Sequence, residues 1–195
     1  PASSRYPQAA GLILWCDEKE EITPDNRSVT TLRYMVKVLN ERGKEQYAEM
    51  PLEYDSTFET VRLEYARTIK PGGEIVDVGS RHVRDVSKYL NFPLYSNARI
   101  MLISFPEVVE GAVVEFRAVI TRTRLLNKTD FMLPYRLQSN DPILACRFEL
   151  NVPSGREVFI KPCNPAYNDF NARLEPRVSE AAGRRSYLWE FEHIP

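Results

Sequence analysis

Along most of the chain, apolar and polar side chains alternate with a period of two residues, which is the pattern of β-strands that bury one face. In the run 32–39, Tyr34 and Val36 fall on one face. Arg33 and Lys37 fall on the other face, which we expect to be partly exposed. The same pattern predicts further strands at 11–22, 61–69, 74–78, 98–105, 113–123, 131–137, 143–152, 157–161, 173–179 and 186–191.

Turn-forming residues separate these runs and predict how they connect. Pro, Asp and Asn at 24–26 predict a hairpin between the first two strands. Pro-Gly-Gly at 71–73 predicts a second hairpin, since glycine supplies the positive φ of tight turns. A third hairpin is expected between 98–105 and 113–123. Residues 80–93 have weak periodicity and predict a connecting segment with at most a helical turn.

The fold class follows from the number and spacing of these strands. No span of ten or more residues carries a clean 3.6-residue stripe with caps, so little helix is expected. Ten or more strands with short connections predict an all-β protein, an antiparallel β-sandwich. A chain of 195 residues fits a single sandwich domain, 1–195. Because the chain begins at Pro1 without an initiating Met or an apolar leader, we expect it to be a fragment of a longer multidomain protein.

The charge balance narrows the classes of partner. The chain has 26 basic and 27 acidic residues, so its formal net charge is -1. Nucleic-acid affinity depends on clustered Lys and Arg that displace counterions, so no nucleic-acid partner is expected. No apolar run approaches the roughly 18 residues of a membrane-spanning helix, so no membrane insertion by this segment is expected.

The three cysteines do not form a disulfide framework, because they are odd in number and far apart in sequence. Cys16 and Cys146 lie in apolar runs, where a thiol packs as a small hydrophobic group. Cys163 lies in a turn-rich stretch and is expected to be exposed. In an oxidising compartment one disulfide could form, but the sequence does not identify its partners.

The sequence contains no recognisable catalytic or metal-binding motif. The two histidines are His82, in the connecting segment, and His193, near the C-terminal end. A cysteine-dependent hydrolase built on Cys163 and His82 is one hypothesis, but no motif supports it. The ligand spacings typical of zinc and calcium sites are absent from the sequence. We therefore predict no catalytic residue, no metal site, no cofactor and no enzymatic activity.

The aromatic content supports a second hypothesis, a carbohydrate-binding module. Ten Tyr, nine Phe and two Trp could build a sugar-stacking surface, although most occupy strand positions where packing explains them. Tyr95 and Tyr167 lie in turn-like segments and are the best exposed candidates. Sandwich proteins tend to bind ligands at strand ends, so the candidate ligand-binding residues are Tyr95, Arg99, Gln138 and Asp141.

Several segments in order along the chain resemble a known family. They are 38–45, 66–78, 94–99, 103–106, 110–116, 137–143 and 187–191. Together they resemble the bacterial all-β domain of unknown function that precedes a transglutaminase-like, papain-fold domain in multidomain, often exported proteins. Asn97 departs from the family pattern, which has Asp at that position.

The resemblance implies a non-catalytic accessory module. Such a domain would position the downstream transglutaminase-like domain of the same chain, or that domain's substrate. The implied partners are this downstream domain and a cell-wall polymer or protein, and the implied location is periplasmic or cell-surface. The Cys, His and Asp of transglutaminase-like chemistry belong to the downstream domain, so the resemblance implies no active-site residue in this chain.

Overall fold

The chain consists mainly of β-strands, with little helix. The computed structural model describes residues 5–89, 97–123, 130–163 and 173–195. Its helices are α1 (Glu41–Tyr47) and a 3-10 turn (Ser80–His82). Its strands are β1 (Gly11–Ile22), β2 (Ser28–Val38), β3 (Glu49–Asp55), β4 (Glu59–Ile69), β5 (Ile75–Asp77), β6 (Val83–Ser87), β7 (Ala98–Ser104), β8 (Val113–Arg122), β9 (Ile143–Pro153), β10 (Arg177–Ala181) and β11 (Arg184–Ile194).

The strands form two sheets, which confirms the predicted all-β, sandwich-like fold. An eight-stranded sheet has the order β10-β11-β9-β1-β2-β8-β4-β5, and a three-stranded sheet has the order β3-β7-β6. Pairing is antiparallel except between β1 and β9, which run parallel. The large sheet is therefore mixed, and the expectation of purely antiparallel pairing is wrong at this position.

The main core lies on the inner face of the large sheet and includes apolar residues of the small sheet. Val36 and Phe116 come from neighbouring strands of the large sheet, and Leu52 and Ile103 come from the small one. Ile103 is fully buried. Burying such a side chain contributes roughly 1.5–3 kcal/mol relative to leaving it exposed. Burial of the alternating apolar positions therefore stabilises the packing of the two sheets.

The hairpin predictions are partly confirmed. β1 pairs with β2 and β4 pairs with β5, as the turn residues indicate. Gly73, with φ of 89°, supplies the left-handed conformation of the second turn. The third predicted hairpin is wrong, because β7 lies in the small sheet whereas β8 lies in the large one. The described part of segment 80–93 contains the predicted helical turn, but it also contains strand β6. The weak alternation of apolar and polar residues in this segment does not indicate a strand.

Two predicted strands are wrong, at 131–137 and 157–161, because neither segment pairs as a strand. The alternation at 131–137 has another cause. Phe131, Leu133 and Tyr135 pack against a second core cluster, whereas Met132 between them is 85% exposed. The ring of Tyr135 stacks on Phe148 with centroids 4.5 Å apart. An extended segment that covers a sheet face has the same two-residue period as a strand.

Helix α1 and strand β3 were not predicted. The helix has seven residues, too few for a 3.6-residue stripe, and begins at Asn40, whose Oδ1 accepts a hydrogen bond from the Gly43 amide at 3.0 Å. A Cβ at Gly43 would lie 1.9 Å from the Ala10 carbonyl oxygen, so glycine is required for this close approach. Strand β3 contains Pro51 and lies at a sheet edge, where proline is tolerated.

None of the helices within the described ranges is long and apolar enough to cross a membrane.

Candidate functional site

The outer face of the large sheet, opposite the main core, carries a row of polar side chains across five strands. Because side chains alternate between faces, the residue next to a core position points outward. Arg33 lies between Leu32 and Tyr34, which both pack against the core cluster. Consecutive pairing partners then define the row: Arg147 on β9, Asp17 on β1, Arg33 on β2, Arg117 on β8 and Tyr65 on β4.

This row forms the floor of a shallow cleft of about 390 Å³, which we call the outer-face cleft. Its lining contains four cationic and two anionic side chains, although the whole chain is nearly neutral. Each of these cations also pairs with a carboxylate of the chain, on Glu21, Glu115, Glu64 or Glu149, so the cleft is a network of paired charges with partly exposed guanidinium groups. The lining residues are Asp17, Lys19, Glu21, Thr31, Arg33, Tyr65, Arg117 and Arg147.

A fully buried carboxylate, Glu115 on β8, holds one side of this cleft in place. Its Oε1 accepts hydrogen bonds from Nη2 of Arg33 and the hydroxyl of Tyr65, both at 2.9 Å. Its Oε2 accepts from Nη2 and Nε of Arg67 at 2.7 and 2.9 Å. Burial alone would raise the pKa of Glu115, but these donors together lower it below its ordinary value. The ionised carboxylate thus fixes the orientation of Arg33 and Tyr65.

Arg33 and Arg117 lie directly opposite each other on β2 and β8. Like charges in this position are unfavourable unless other groups compensate them. Arg33 is compensated by Glu115, and Nε of Arg117 lies 3.0 Å from Oε2 of Glu64. The two arginine side chains are still 43% and 47% exposed. Two oriented guanidinium groups therefore face solvent side by side.

Asp17 adds an acceptor beside the arginines. Its Oδ1 is buried and accepts no hydrogen bond from any residue in the described part of the chain. The nearest cation is Arg147, with Nη1 3.9 Å from Oδ1, which is too long for a hydrogen bond. Burial raises the pKa of Asp17, although the charge of Arg147 opposes the rise.

The candidate residues from the sequence lie elsewhere. Arg99 is on β7 of the small sheet, where its Nε donates to Asp85 Oδ1 at 2.9 Å. Gln138 is exposed in the segment before β9. Tyr95 and Tyr167 lie outside the described residues. No hydrogen bond or ion pair joins Arg99, Gln138 and Asp141 to one another in the described ranges, so the structure does not bring them together.

Asp141 is 2% exposed and ties helix α1 to the start of β1 and β9. Its Oδ1 accepts a hydrogen bond from the Ala10 amide at 2.7 Å. Its Oδ2 accepts from the Gln46 side-chain amide at 3.0 Å and from the Tyr47 hydroxyl at 2.5 Å. Burial, followed by the bond to Asp141, raises the pKa of Tyr47. The contacts of Asp141 within this structure are those of a residue that anchors the fold.

The cysteines and His82 do not form a nucleophile and base pair. Cys163 is exposed, and its Sγ contacts the carbonyl oxygen of Lys161 at 3.9 Å. Nδ1 of His82 is buried without a hydrogen-bond partner in the part of the chain that the structure describes. Burial raises the pKa of the Cys16 thiol to about 12 and also raises that of Cys146. The thiols of Cys16, which is half-buried, and of Cys146, which is buried, therefore stay protonated near neutral pH and are poor nucleophiles.

Within the described ranges, no three His, Cys, Asp or Glu side chains are placed to hold a metal ion.

Comparisons with known proteins place the chain in a family. Residues 24–195 match the family described as "Domain of Unknown Function with solved-structure structure (DUF3857)". The chain belongs to the DUF3857 family. No curated protein matches this DUF3857 chain.

Two solved structures are similar to this DUF3857 chain at low sequence identity. A "putative protease" from Parabacteroides distasonis matches with a TM-score of 0.77 and 15% identity, covering 95% of this chain and 36% of that one. An M1 zinc metallopeptidase from Deinococcus radiodurans matches with a TM-score of 0.46 and 12% identity, covering 94% of this chain and 39% of that one. The DUF3857 chain thus spans little more than a third of the length of either protein.

Proposed function

We propose that this DUF3857 domain is a non-catalytic accessory module of a longer, exported protein. It would precede a transglutaminase-like domain and position that domain or its substrate. The resemblance of the ordered segments supports the position of the domain in the chain. The Parabacteroides distasonis protein supports only the occurrence of this fold within a longer chain, because 36% of that chain matches.

The observation that carries the proposal is the outer-face cleft. An exposed sheet face can be solvated by scattered polar residues, and such residues need no fixed orientation. Here the fully buried Glu115 fixes Arg33, so an exposed side chain is held in one orientation. Orienting side chains before binding reduces the entropy cost of association, which is typical of recognition surfaces. The proposed partner at this cleft is an acidic surface of the transglutaminase-like domain.

The state of the cysteines supports the non-catalytic part of the proposal. Catalysis by a thiol requires a thiolate or a base beside the thiol. The thiols of Cys16 and Cys146 have raised pKa values, and Cys163 contacts a backbone carbonyl. The reactive chemistry of the longer protein would then reside in its following domain.

The first test is the sequence that follows Pro195 in the full-length protein. We expect a cysteine followed by a histidine and an aspartate in the order of a transglutaminase-like domain. A following segment without these three residues would contradict the proposed domain order.

The second test is carbodiimide cross-linking of the full-length protein, read by mass spectrometry. This reagent joins lysine amines to carboxylates in direct contact. Lys19 in the outer-face cleft is 40% exposed, and Lys44 on α1 is a matched control at 44%. We expect cross-links from Lys19 to acidic residues of the following domain and none from Lys44. Cross-links to that domain from Lys44 alone would refute docking at the cleft.

A further inference from the structure

We propose that the outer-face cleft binds an extended acidic peptide segment, with one carboxylate of the segment held between Arg33 and Arg117. The inference rests on the proposed function, because it names the chemistry by which the module would hold the following domain. It assigns a ligand class to a surface on which the guanidinium groups of Arg33 and Arg117 remain partly exposed.

The two arginines supply the carboxylate site. They are direct partners across β2 and β8, and each is anchored from one side by a carboxylate of this chain. A guanidinium has five N–H donors in a fixed fork, more than the hydrogen bonds of Arg33 to Glu115 occupy. Charge-assisted bonds from arginine to carboxylate are among the strongest in proteins. A carboxylate between them would also relieve the repulsion between two adjacent cations.

Asp17 distinguishes a peptide from a simple anion. Its buried Oδ1 lacks a donor among the described residues and lies in the same row as the arginines. A phosphate or sulfate ion at neutral pH would be repelled by the Asp17 carboxylate. An acidic peptide offers carboxylates to the arginines and backbone N–H donors to the exposed part of the Asp17 side chain, which is 28% exposed. The mixed lining of the cleft therefore favours a peptide that carries both kinds of group.

The size of the cleft sets the length of the peptide. The row from β9 to β4 crosses four gaps between strands, or about 19 Å at the usual strand spacing. An extended peptide rises about 3.3 Å per residue, so about six residues cross the row. A segment of this length can place alternate side chains on the sheet face.

The test is fluorescence anisotropy with a labelled peptide of about six glutamates, the length derived from the strand spacing. We expect the wild-type chain to bind this hexaglutamate and not a hexalysine of the same length. Arg117→Ala should weaken binding at least about tenfold, because it removes one charged hydrogen-bond donor. Lys19→Ala, a change to an exposed side chain, should also weaken binding.

Arg62→Ala is the matched control. Arg62 pairs with the same Glu64 as Arg117, at 2.7 Å, but it does not line the cleft. We expect this variant to bind hexaglutamate as the wild type does, within about twofold. No binding by the wild type, or equal weakening by Arg62→Ala and Arg117→Ala, would overturn the inference.

The cross-linking experiment separates this inference from the proposed function. If Lys19 cross-links to the following domain but hexaglutamate does not bind, the accessory role stands and the peptide site is wrong. If hexaglutamate binds and Arg117→Ala abolishes binding while Lys19 forms no cross-link, the peptide site stands and the docking proposal is wrong.

Discussion

Replacing Glu115 by glutamine tests whether the buried carboxylate organises the outer face of the sheet. Glutamine has nearly the same shape, but its amide group is a donor where the carboxylate has a second acceptor. Glu115 accepts five hydrogen bonds, the longest of which is 3.2 Å, from Arg33, Tyr65 and Arg67. In Glu115→Gln, at least one arginine would face an amide donor instead of a carboxylate oxygen.

The expected loss follows from the burial of the partners. Breaking a buried ion pair by removing one charge costs about 3–5 kcal/mol. The side chains of Arg33 and Arg67 are 43% and 35% exposed, so water can partly replace the lost acceptor. We therefore expect Glu115→Gln to lower the free energy of unfolding by about 2–3 kcal/mol.

Urea unfolding at neutral pH, followed by the fluorescence of Trp15 and Trp189, measures this loss. Glu64→Gln is the control, because Glu64 also pairs with arginine on this sheet but is 24% exposed. Glu64→Gln should lower the free energy of unfolding by less than about 1 kcal/mol. If Glu115→Gln were as stable as Glu64→Gln, the reasoning that a buried carboxylate holds this face would be refuted.

The effect of Glu115 should also depend on pH with a defined sign. The folded pKa of Glu115 is lowered, so its stabilisation is complete above the unfolded pKa of about 4.3. The stabilisation is lost as the pH falls through the lower folded pKa. The difference between wild type and Glu115→Gln should therefore be largest at neutral pH and should shrink in acid.

Three further predictions concern other ionisable side chains. Asp141→Asn should lower the free energy of unfolding by about 1–3 kcal/mol in urea unfolding, because one oxygen acceptor is lost under buried donors. In the native protein, iodoacetamide should alkylate Cys163 and spare Cys16 and Cys146, and mass spectrometry should find three adducts only in denaturant. Burial, followed by the charge of a neighbouring glutamate, raises the pKa of Glu18 to about 7. The protonated side chain therefore contributes to folding stability in acid, and this contribution is lost as the pH rises through 7. Glu18→Gln should therefore raise the melting temperature relative to wild type at pH above 7 but not at about pH 4; an equal change at both values would contradict this.

Much of the fold follows from the two-residue period of the sequence, because the main core is made of alternate residues on paired strands. The residues Val36 and Phe116 illustrate this, since both lie at positions that the alternation assigns to one face. The same period misled at 131–137, where an extended segment covers a sheet without pairing to it. Strand β3 was missed because its proline and charged residues are compatible with an edge strand but do not indicate one.

The outer-face cleft could be predicted only in part. The alternation places Arg33 and Arg117 on polar faces, but it does not show that they are neighbours. Their proximity depends on pairing between β2 and β8, which are far apart in sequence. Arg147 joins the row only through the parallel pairing of β9 with β1. The position of Arg99 near a strand end carries no information about these pairings.

The location of β1 has a practical consequence for anyone who trims the protein. The family match starts at residue 24, beyond the end of β1, yet this strand joins β2 to β9 at the centre of the large sheet. An expression fragment cut at the family boundary would leave both of those strands with unpaired backbone amides and carbonyls. Such newly created edges recruit other chains. Insolubility of such a fragment would therefore reflect a missing strand, and restoring residues 11–22 should cure it.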